Sequence, residues 1–82
     1  MNNDIAATLR AVLSQFAPEA DLDALDDAVV LQEELDLDSM DFLNIMIAVH
    51  ERTGVDIPEA DYGEVATFGG LVRYVAERAR VV

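Results

Sequence analysis

The sequence predicts an all-α fold, a small four-helix bundle with three longer helices and one short helix. Three segments repeat apolar residues at the spacing that places them on one face of a helix, and Pro or Gly residues stand between these segments. At 82 residues, the chain is long enough for one domain with one modest core. We therefore expect a single domain over residues 1–82, with a long loop between the first two helices.

The first predicted helix starts near the N-terminus, where Asn3 or Asp4 can cap it, and Pro18 ends it. Its apolar residues share one face, so we expect this face to be buried in the core. They are Ile5, Leu9, Val12, Leu13 and Phe16.

Residues 18–38 form the long connection, in which leucines recur among aspartates and glutamates. A structureless loop of this length is unusual in a compact domain. The frequent leucines therefore indicate that the connection packs against the helices, with a short turn of helix near residues 21–24 or 31–34.

The second helix is predicted from residue 39 to about residue 52, where Thr53 and Gly54 close it. It carries two apolar stripes, although one stripe is enough for the core of a small bundle. The first stripe consists of Phe42, Ile45, Met46 and Val49, and the second consists of Met40, Leu43 and Ile47. We expect the second stripe to be a docking patch for partner enzymes; the alternative is that both stripes are core.

The last two helices follow an extended segment that leads into Pro58. Pro58 can begin a short third helix, from residue 59 to about residue 62, which Gly63 weakens or ends. Thr67 then caps a fourth helix from residue 68 to about residue 80. Two glycines in its first turn predict the close approach of another helix or of a bound chain. These are Gly69 and Gly70.

A serine stands where the second helix begins, in the acidic string Asp36-Leu37-Asp38-Ser39-Met40-Asp41. Either Asp38 or Ser39 can cap this helix, and both assignments place the Ser39 hydroxyl at its exposed start. A phosphodiester on that hydroxyl would meet unpaired backbone N–H groups and the positive end of the helix dipole. The only other serine, Ser14, lies inside the first helix, where a modifying enzyme would reach it poorly.

The string Asp38-Ser39-Met40, with Asp36 and Asp41 around it, resembles the attachment motif of acyl carrier proteins. The resemblance covers nearly the whole chain, because Ile57-Pro58, the short helix, Thr67 and Tyr74 follow in the order seen in that family. It implies that Ser39 carries a 4′-phosphopantetheine arm, whose thiol holds an acyl group as a thioester. Asp38 and Met40 flank the attachment point, and Met40 stands where the family usually has Leu.

The sequence departs from the family pattern in two places. Tyr62 and Gly63 stand in the short third helix, where the family tends to have small or acidic residues. Asn44, His50 and Arg52 stand in the second helix, where we would expect Glu. Both differences bear on which partners the protein serves, and the weakened acidity of the second helix favours a specialised lipid or secondary-metabolite pathway slightly over general fatty acid synthesis.

Composition limits the partners. With 17 acidic and 5 basic residues, the chain carries a net charge of −12, which disfavours nucleic acid and anionic membranes and favours partners with basic patches. We expect Asp36, Asp38, Asp41 and Glu51 to steer such partners toward Ser39; the alternative is that they only solvate the surface.

No apolar run is long enough to span a membrane, and the N-terminus shows no signal peptide. We therefore expect a cytoplasmic monomer.

Catalytic and metal sites find little support in the sequence. Ser39 lacks the flanking glycines of a hydrolase elbow, and His50, the only histidine, lies roughly 16 Å from it along the same helix. A calcium loop starting at Asp36 would need Gly and Glu where Asp41 and Ile47 stand. Weak cation binding by the clustered carboxylates stays open as charge relief. We therefore expect no enzyme activity, no catalytic residue and no specific metal site.

The resemblance thus implies an acyl carrier protein for fatty acid, lipid or related biosynthesis. Its expected partners are a phosphopantetheinyl transferase and the synthases and acyltransferases that load or use the acyl group. An acyl pocket between the helices is expected from seven residues, of which Tyr62 either gates or shortens the pocket or only packs. They are Phe42, Ile45, Met46, Val49, Tyr62, Leu71 and Val75. The alternatives are an aminoacyl or polyketide-unit carrier, or an unmodified acidic helical adaptor.

Overall fold

The computed structural model describes residues 2–79 and confirms the predicted all-α fold. Three long helices form the body of the bundle: α1 (Asn2–Ser14), α3 (Ser39–Thr53) and α4 (Phe68–Ala79). A four-residue helix, α2 (Leu31–Glu34), precedes α3. Two 3₁₀ helices lie in the connections, Leu22–Ala24 before α2 and Glu59–Val65 between α3 and α4. None of the helices in this part of the chain is long and apolar enough to cross a bilayer.

The core lies between the three long helices, and each contributes one apolar face to it. The buried stripe predicted for α3 is confirmed, since Phe42, Ile45, Met46 and Val49 are all buried. From α1 the core receives Leu9, Val12 and Leu13, and from α4 it receives Phe68, Leu71, Tyr74 and Val75. Burial of these side chains supplies most of the driving force for folding, because each large apolar side chain contributes about 1.5–3 kcal/mol.

The long connection packs against the bundle, as predicted, and both predicted turns of helix are present. Its last part is joined to the start of α4 by three backbone hydrogen bonds. Leu31 N donates to Ala66 O at 2.9 Å, Phe68 N to Val29 O at 3.2 Å, and Gly69 N to Asp27 O at 2.9 Å. The fully buried Leu31 side chain anchors the same segment in the core.

Thr67 caps α4 as predicted, because its Oγ1 accepts a hydrogen bond from Gly70 N at 3.0 Å. The predicted close approach of another helix is confirmed at Gly70, whereas Gly69 approaches the connection; the approach of a bound chain stays a prediction. A Cβ on Gly69 would lie 2.7 Å from Asp27 Cβ, in the connection. A Cβ on Gly70 would collide with the Glu64 carbonyl oxygen, in the second 3₁₀ helix.

Two other predicted boundaries differ in the structure. Helix α1 already begins at Asn2, so Asn3 and Asp4 lie within its first turn and do not precede it as caps. The short third helix continues past Gly63 to Val65, because Val65 is fully buried and holds the last turn on the core. Arg80, the predicted end of the last helix, lies outside the described residues.

Candidate functional site

The chain turns sharply between α2 and α3, and this turn sets the position of Ser39. Asp36 has a φ of 54°, a left-handed conformation that Asp tolerates better than most residues. The turn directs Leu37 into the core, where only 8% of its surface is exposed. Asp38 is then extended, and Ser39 is the first residue of α3. Ser39 is therefore exposed, beside a leucine that the core holds in place.

A capping box closes the start of α3. Asp38 Oδ1 accepts a hydrogen bond from Asp41 N at 2.8 Å, and Asp41 Oδ2 accepts a longer one from Asp38 N at 3.5 Å. From the sequence, either Asp38 or Ser39 could be the N-cap residue, and the structure identifies Asp38 as the cap. The Ser39 hydroxyl has no part in the cap, so it can be modified without loss of this interaction.

A surface cavity of about 500 Å³, here called the Ser39 cavity, adjoins this hydroxyl. It lies between α3 and the 3₁₀ helix Glu59–Val65, and α2 contributes to its edge. Its lining residues are Gln32, Ser39, Met40, Phe42, Leu43, Glu59, Tyr62, Gly63 and Ala66. The volume is within the range of small-molecule sites, roughly 300–1,000 Å³. A flexible group on Ser39 Oγ would lie beside the apolar lining of this cavity. The site therefore fits a phosphopantetheine arm.

The second apolar stripe of α3 is exposed, so the alternative that both stripes are core was wrong. The exposed fractions are 65% for Met40, 42% for Leu43 and 49% for Ile47. We call these three side chains the apolar patch. The patch begins next to Ser39 and follows α3 for two turns. Its use for partner binding stays a prediction.

Acidic side chains lie toward both ends of α3. At its start, Asp36 and Asp38 are exposed and Asp41 is half-buried, and near its end Glu51 is exposed. The one ion pair among the side chains of residues 5–79 joins Arg78 to Asp61, which are not members of this group. The four carboxylates therefore lack an internal counterion in that range, and their negative potential extends into solvent.

The seven residues predicted to form one acyl pocket lie in three different places, which are two cavities and the core. Phe42 and Tyr62 line the Ser39 cavity. Met46 and Tyr62 line a smaller cavity of about 170 Å³, which we call the His50 cavity; its other walls are Ile47, His50, Asp56 and Ile57. The remaining four residues lie fully buried in the core and line neither cavity: Ile45, Val49, Leu71 and Val75. A pocket between the long helices stays a prediction.

Sequence reasoning missed several walls of the Ser39 cavity. Glu59, Gly63 and Ala66 follow one another at a spacing of four and three from the start of the short helix, and this spacing could have placed them on one face. Gln32 carried no such signal, because it reaches the cavity only through the packing of the connection.

The 3₁₀ helix that carries Tyr62 is fastened to α4 by three side chains, here called the Asp61 cluster. Tyr74 OH donates to Asp61 Oδ2 at 2.6 Å, and Arg78 Nη2 lies 3.9 Å from the same oxygen. The Arg78 guanidinium also lies over the Tyr74 ring, 3.6 Å from its centroid. The hydrogen bond to Asp61, together with burial, raises the pKa of the Tyr74 phenol above its ordinary value of 10.0, although Arg78 opposes part of this effect.

His50 lies at the far end of α3 from Ser39. Its Nδ1 is 3.3 Å from the Val55 carbonyl oxygen, and its side chain is exposed. The two residues are separated by eleven positions on one helix, about 16 Å along the axis. They therefore cannot act as a couple within one molecule.

Comparison with known proteins agrees with this geometry. The model of the family described as the phosphopantetheine attachment site matches residues 5–75. The chain is 32% identical over 79 residues to an acyl carrier protein of Renibacterium salmoninarum, a match that covers 92% of this chain and 91% of that protein. It is 35% identical over 43 residues to an acyl carrier protein of Wolinella succinogenes, covering 52% and 57%.

A third relative, the acyl carrier protein of Rickettsia prowazekii, is 33% identical over 46 residues, covering 56% of this chain and 54% of that protein. The Wolinella and Rickettsia matches therefore span little more than half the length of these relatives, whereas the family match includes Ser39, all of α3 and most of α1 and α4. An exposed serine at a helix start, an adjoining cavity and a match over most of the chain lead to the same conclusion. The chain belongs to the acyl carrier protein family, whose members contain the phosphopantetheine attachment site.

Proposed function

We propose that this chain carries acyl groups as thioesters on a 4′-phosphopantetheine arm attached to Ser39, and delivers them to enzymes of fatty acid, lipid or related biosynthesis. The observation that carries the proposal is the Ser39 hydroxyl itself. It lies exposed at the first position of a 15-residue helix, outside the capping box and inside the segment that matches the family.

The start of α3 favours attachment of the arm. A phosphopantetheinyl transferase joins Ser39 Oγ to the phosphorus nearest the pantetheine of coenzyme A. The bond within the diphosphate breaks, adenosine 3′,5′-bisphosphate leaves, and the serine proton goes to a base of the transferase. The Ser39 hydroxyl can approach that enzyme because no part of the fold covers it. The positive end of the α3 dipole partly offsets the repulsion between the new phosphodiester and Asp38.

The attached arm supplies a thiol, and residues of the chain form an apolar surface beside it. The chain has no cysteine, so the arm brings the one thiol. Met40, Phe42, Leu43 and Tyr62 give the Ser39 cavity an apolar wall against which an acyl group can lie. Each methylene removed from water contributes about 0.8 kcal/mol.

Partner enzymes bind across the apolar patch and are drawn by the surrounding carboxylates. This arrangement suits an interface with an apolar centre and a charged rim. The partners are the transferase and the synthases and acyltransferases that load or use the acyl group. The protein acts in the cytoplasm as a monomer, in a specialised pathway more than in general fatty acid synthesis.

A second candidate is an unmodified helical adaptor, which the apolar patch favours equally. Three large apolar side chains exposed on one face of α3 suit one partner protein, whether or not an arm is present. The two candidates differ at Ser39, because the adaptor gains no mass there.

The test is the intact mass of the protein after incubation with coenzyme A, Mg²⁺ and a broad-specificity phosphopantetheinyl transferase. We expect one added arm on the wild-type protein and none on Ser39→Ala. Ser14→Ala is the matched control, because Ser14 is the only other serine and its Oγ donates to Ala11 O at 2.7 Å inside α1. It should accept the arm as the wild type does.

Two outcomes would contradict the proposal. An arm on Ser39→Ala would place the attachment elsewhere. A folded wild-type protein that gains no mass, tested beside a carrier protein that does, would leave the adaptor as the better function.

A further inference from the structure

The Ser39 cavity and the His50 cavity share one side chain, that of Tyr62. The Ser39 cavity contacts the first half of α3, at Ser39, Met40 and Leu43. The His50 cavity contacts the second half, at Met46, Ile47 and His50. Met46 lies seven positions after Ser39 on α3, about 10 Å along the axis. The two cavities therefore follow one another along α3, and Tyr62 lies where they meet.

One ring contact and a tethered neighbouring residue hold Tyr62 in this place. The ring packs edge-on against Phe42, with centroids 5.5 Å apart and an angle of 77° between the planes. Phe42 is itself buried, with 5% of its surface exposed. The preceding residue, Asp61, is fixed to α4 through Tyr74 and Arg78. An edge-to-face pair and a tethered neighbour restrict the ring more than either contact alone.

We propose that Tyr62 limits the length of the acyl chain that this protein shelters, by closing the Ser39 cavity on the side of the His50 cavity. The inference rests on the proposed attachment of the arm at Ser39. An acyl chain enters the Ser39 cavity, lies along Phe42 and Leu43, and stops at the Tyr62 ring. The His50 cavity beyond the ring is smaller than the Ser39 cavity, at about 170 Å³.

The test compares wild type, Tyr62→Phe and Tyr62→Ala, each loaded at Ser39 from coenzyme A or from its butyryl, octanoyl and dodecanoyl thioesters. The measured quantity is the Tm of each acylated form relative to the form with the arm alone. In the wild type, we expect the Tm to rise with the shorter chains and to stay level from octanoyl to dodecanoyl. Tyr62→Phe keeps the ring and should show the same dependence.

Tyr62→Ala removes the ring and joins the two cavities. Its Tm should continue to rise from octanoyl to dodecanoyl, on the order of 5 °C for incomplete burial of the added methylenes. A level Tm over the same range in Tyr62→Ala, or a continued rise in the wild type, would overturn the role of Tyr62. Failure of every variant to accept the arm would instead overturn the proposed function.

A measurement on the wild type alone covers the case in which Tyr62→Ala does not fold. In the dodecanoyl form, nuclear Overhauser contacts from the terminal methyl group should reach ring protons of Tyr62 or Phe42, or solvent-exposed side chains. Contacts between that methyl group and Ile57, on the far side of Tyr62, would overturn the inference.

Discussion

Helices α3 and α4 begin in opposite ways. At the start of α4, the amide groups of Phe68 and Gly69 donate to carbonyl oxygens of the connection, and Gly70 N donates to Thr67 Oγ1. At the start of α3, Asp38 accepts from Asp41 N, and the first two residues, Ser39 and Met40, are exposed. One helix start is closed by the fold, and the other is exposed to solvent.

The difference shows how a small domain separates stability from function. The closed start of α4 joins the connection and the second 3₁₀ helix to the body of the bundle, through contacts that leave no space for a side chain. The open start of α3 contributes a capping box and little else to stability, so its remaining groups are available for chemistry. Substitutions at the two starts should therefore differ in kind, with losses of stability at α4 and losses of loading at α3.

Gly70→Ala tests the closed start and has the largest expected effect on stability. An added Cβ meets the Glu64 carbonyl oxygen and lies 3.0 Å from Thr67 Oγ1, so the 3₁₀ helix must shift. We expect the free energy of unfolding to fall by about 2 kcal/mol, since overpacking costs roughly 1–3 kcal/mol. Chemical denaturation measures this change.

Gly63→Ala is the matched control, because a Cβ there meets nothing within 4 Å. It should match the wild type or exceed its stability by about 0.5–1 kcal/mol, from the reduced freedom of the unfolded chain. Equal stability of the two variants would mean that the start of α4 is less tightly closed than these contacts imply.

Substitutions of Asp38 separate the two roles of the carboxylate at the open start. Asp38→Ala removes both cap and charge, and should lower the free energy of unfolding by about 1 kcal/mol. Asp38→Asn keeps a side-chain oxygen for Asp41 N, so its stability should stay within about 0.5 kcal/mol of the wild type. If the charge steers the transferase, both variants should lower kcat/KM for loading, and more so at low ionic strength.

Ser39→Ala is the reference for this pair. Because Ser39 Oγ is outside the cap, we expect the free energy of unfolding to change by less than about 0.5 kcal/mol, while attachment of the arm is lost. A loss of stability equal to that of Asp38→Ala would mean that the serine shares the cap. Normal loading of Asp38→Asn would limit Asp38 to a structural role.

The open start was predicted from sequence more completely than the closed one. Asp38 and Ser39 are both residues that begin helices, and the second stripe of α3 exceeded what a small core needs, so the exposed serine and the exposed patch followed from pattern. The choice between the two caps did not follow, because either side chain offers a suitable oxygen. It needed the backbone conformation of Asp38.

The closed start could not be predicted in the same detail. Its contacts join backbone groups of residues 27–31 to backbone groups of residues 66–69, and such contacts carry no side-chain pattern. The glycines indicated a close approach but not the approaching segment. For the same reason, the sequence did not predict that Gln32 lines the Ser39 cavity, since its position depends on how the connection packs.

Alkaline pH should weaken the Asp61 cluster, which joins α4 to the 3₁₀ helix Glu59–Val65. This is the smallest of the expected effects. The pKa of the Tyr74 phenol is raised above 10.0, first by its hydrogen bond to Asp61, so the folded state favours the protonated phenol. This stabilisation is fully present below pH 10.0 and is lost as the pH rises through the folded-state pKa.

Phenolate absorbance of Tyr62→Phe measures the effect, because Tyr74 is then the only tyrosine. We expect its titration midpoint above that of the unfolded protein, and a lower midpoint in the double variant with Asp61→Asn, which removes the carboxylate charge that holds the proton. Amide signals of the 3₁₀ helix should shift over the same pH range, while those of residues 38–41 stay constant. A midpoint equal to that of the unfolded chain would show that the Asp61 cluster is open in solution. Tyr62 would then be restricted only by its contact with Phe42 and no longer by the tether of Asp61.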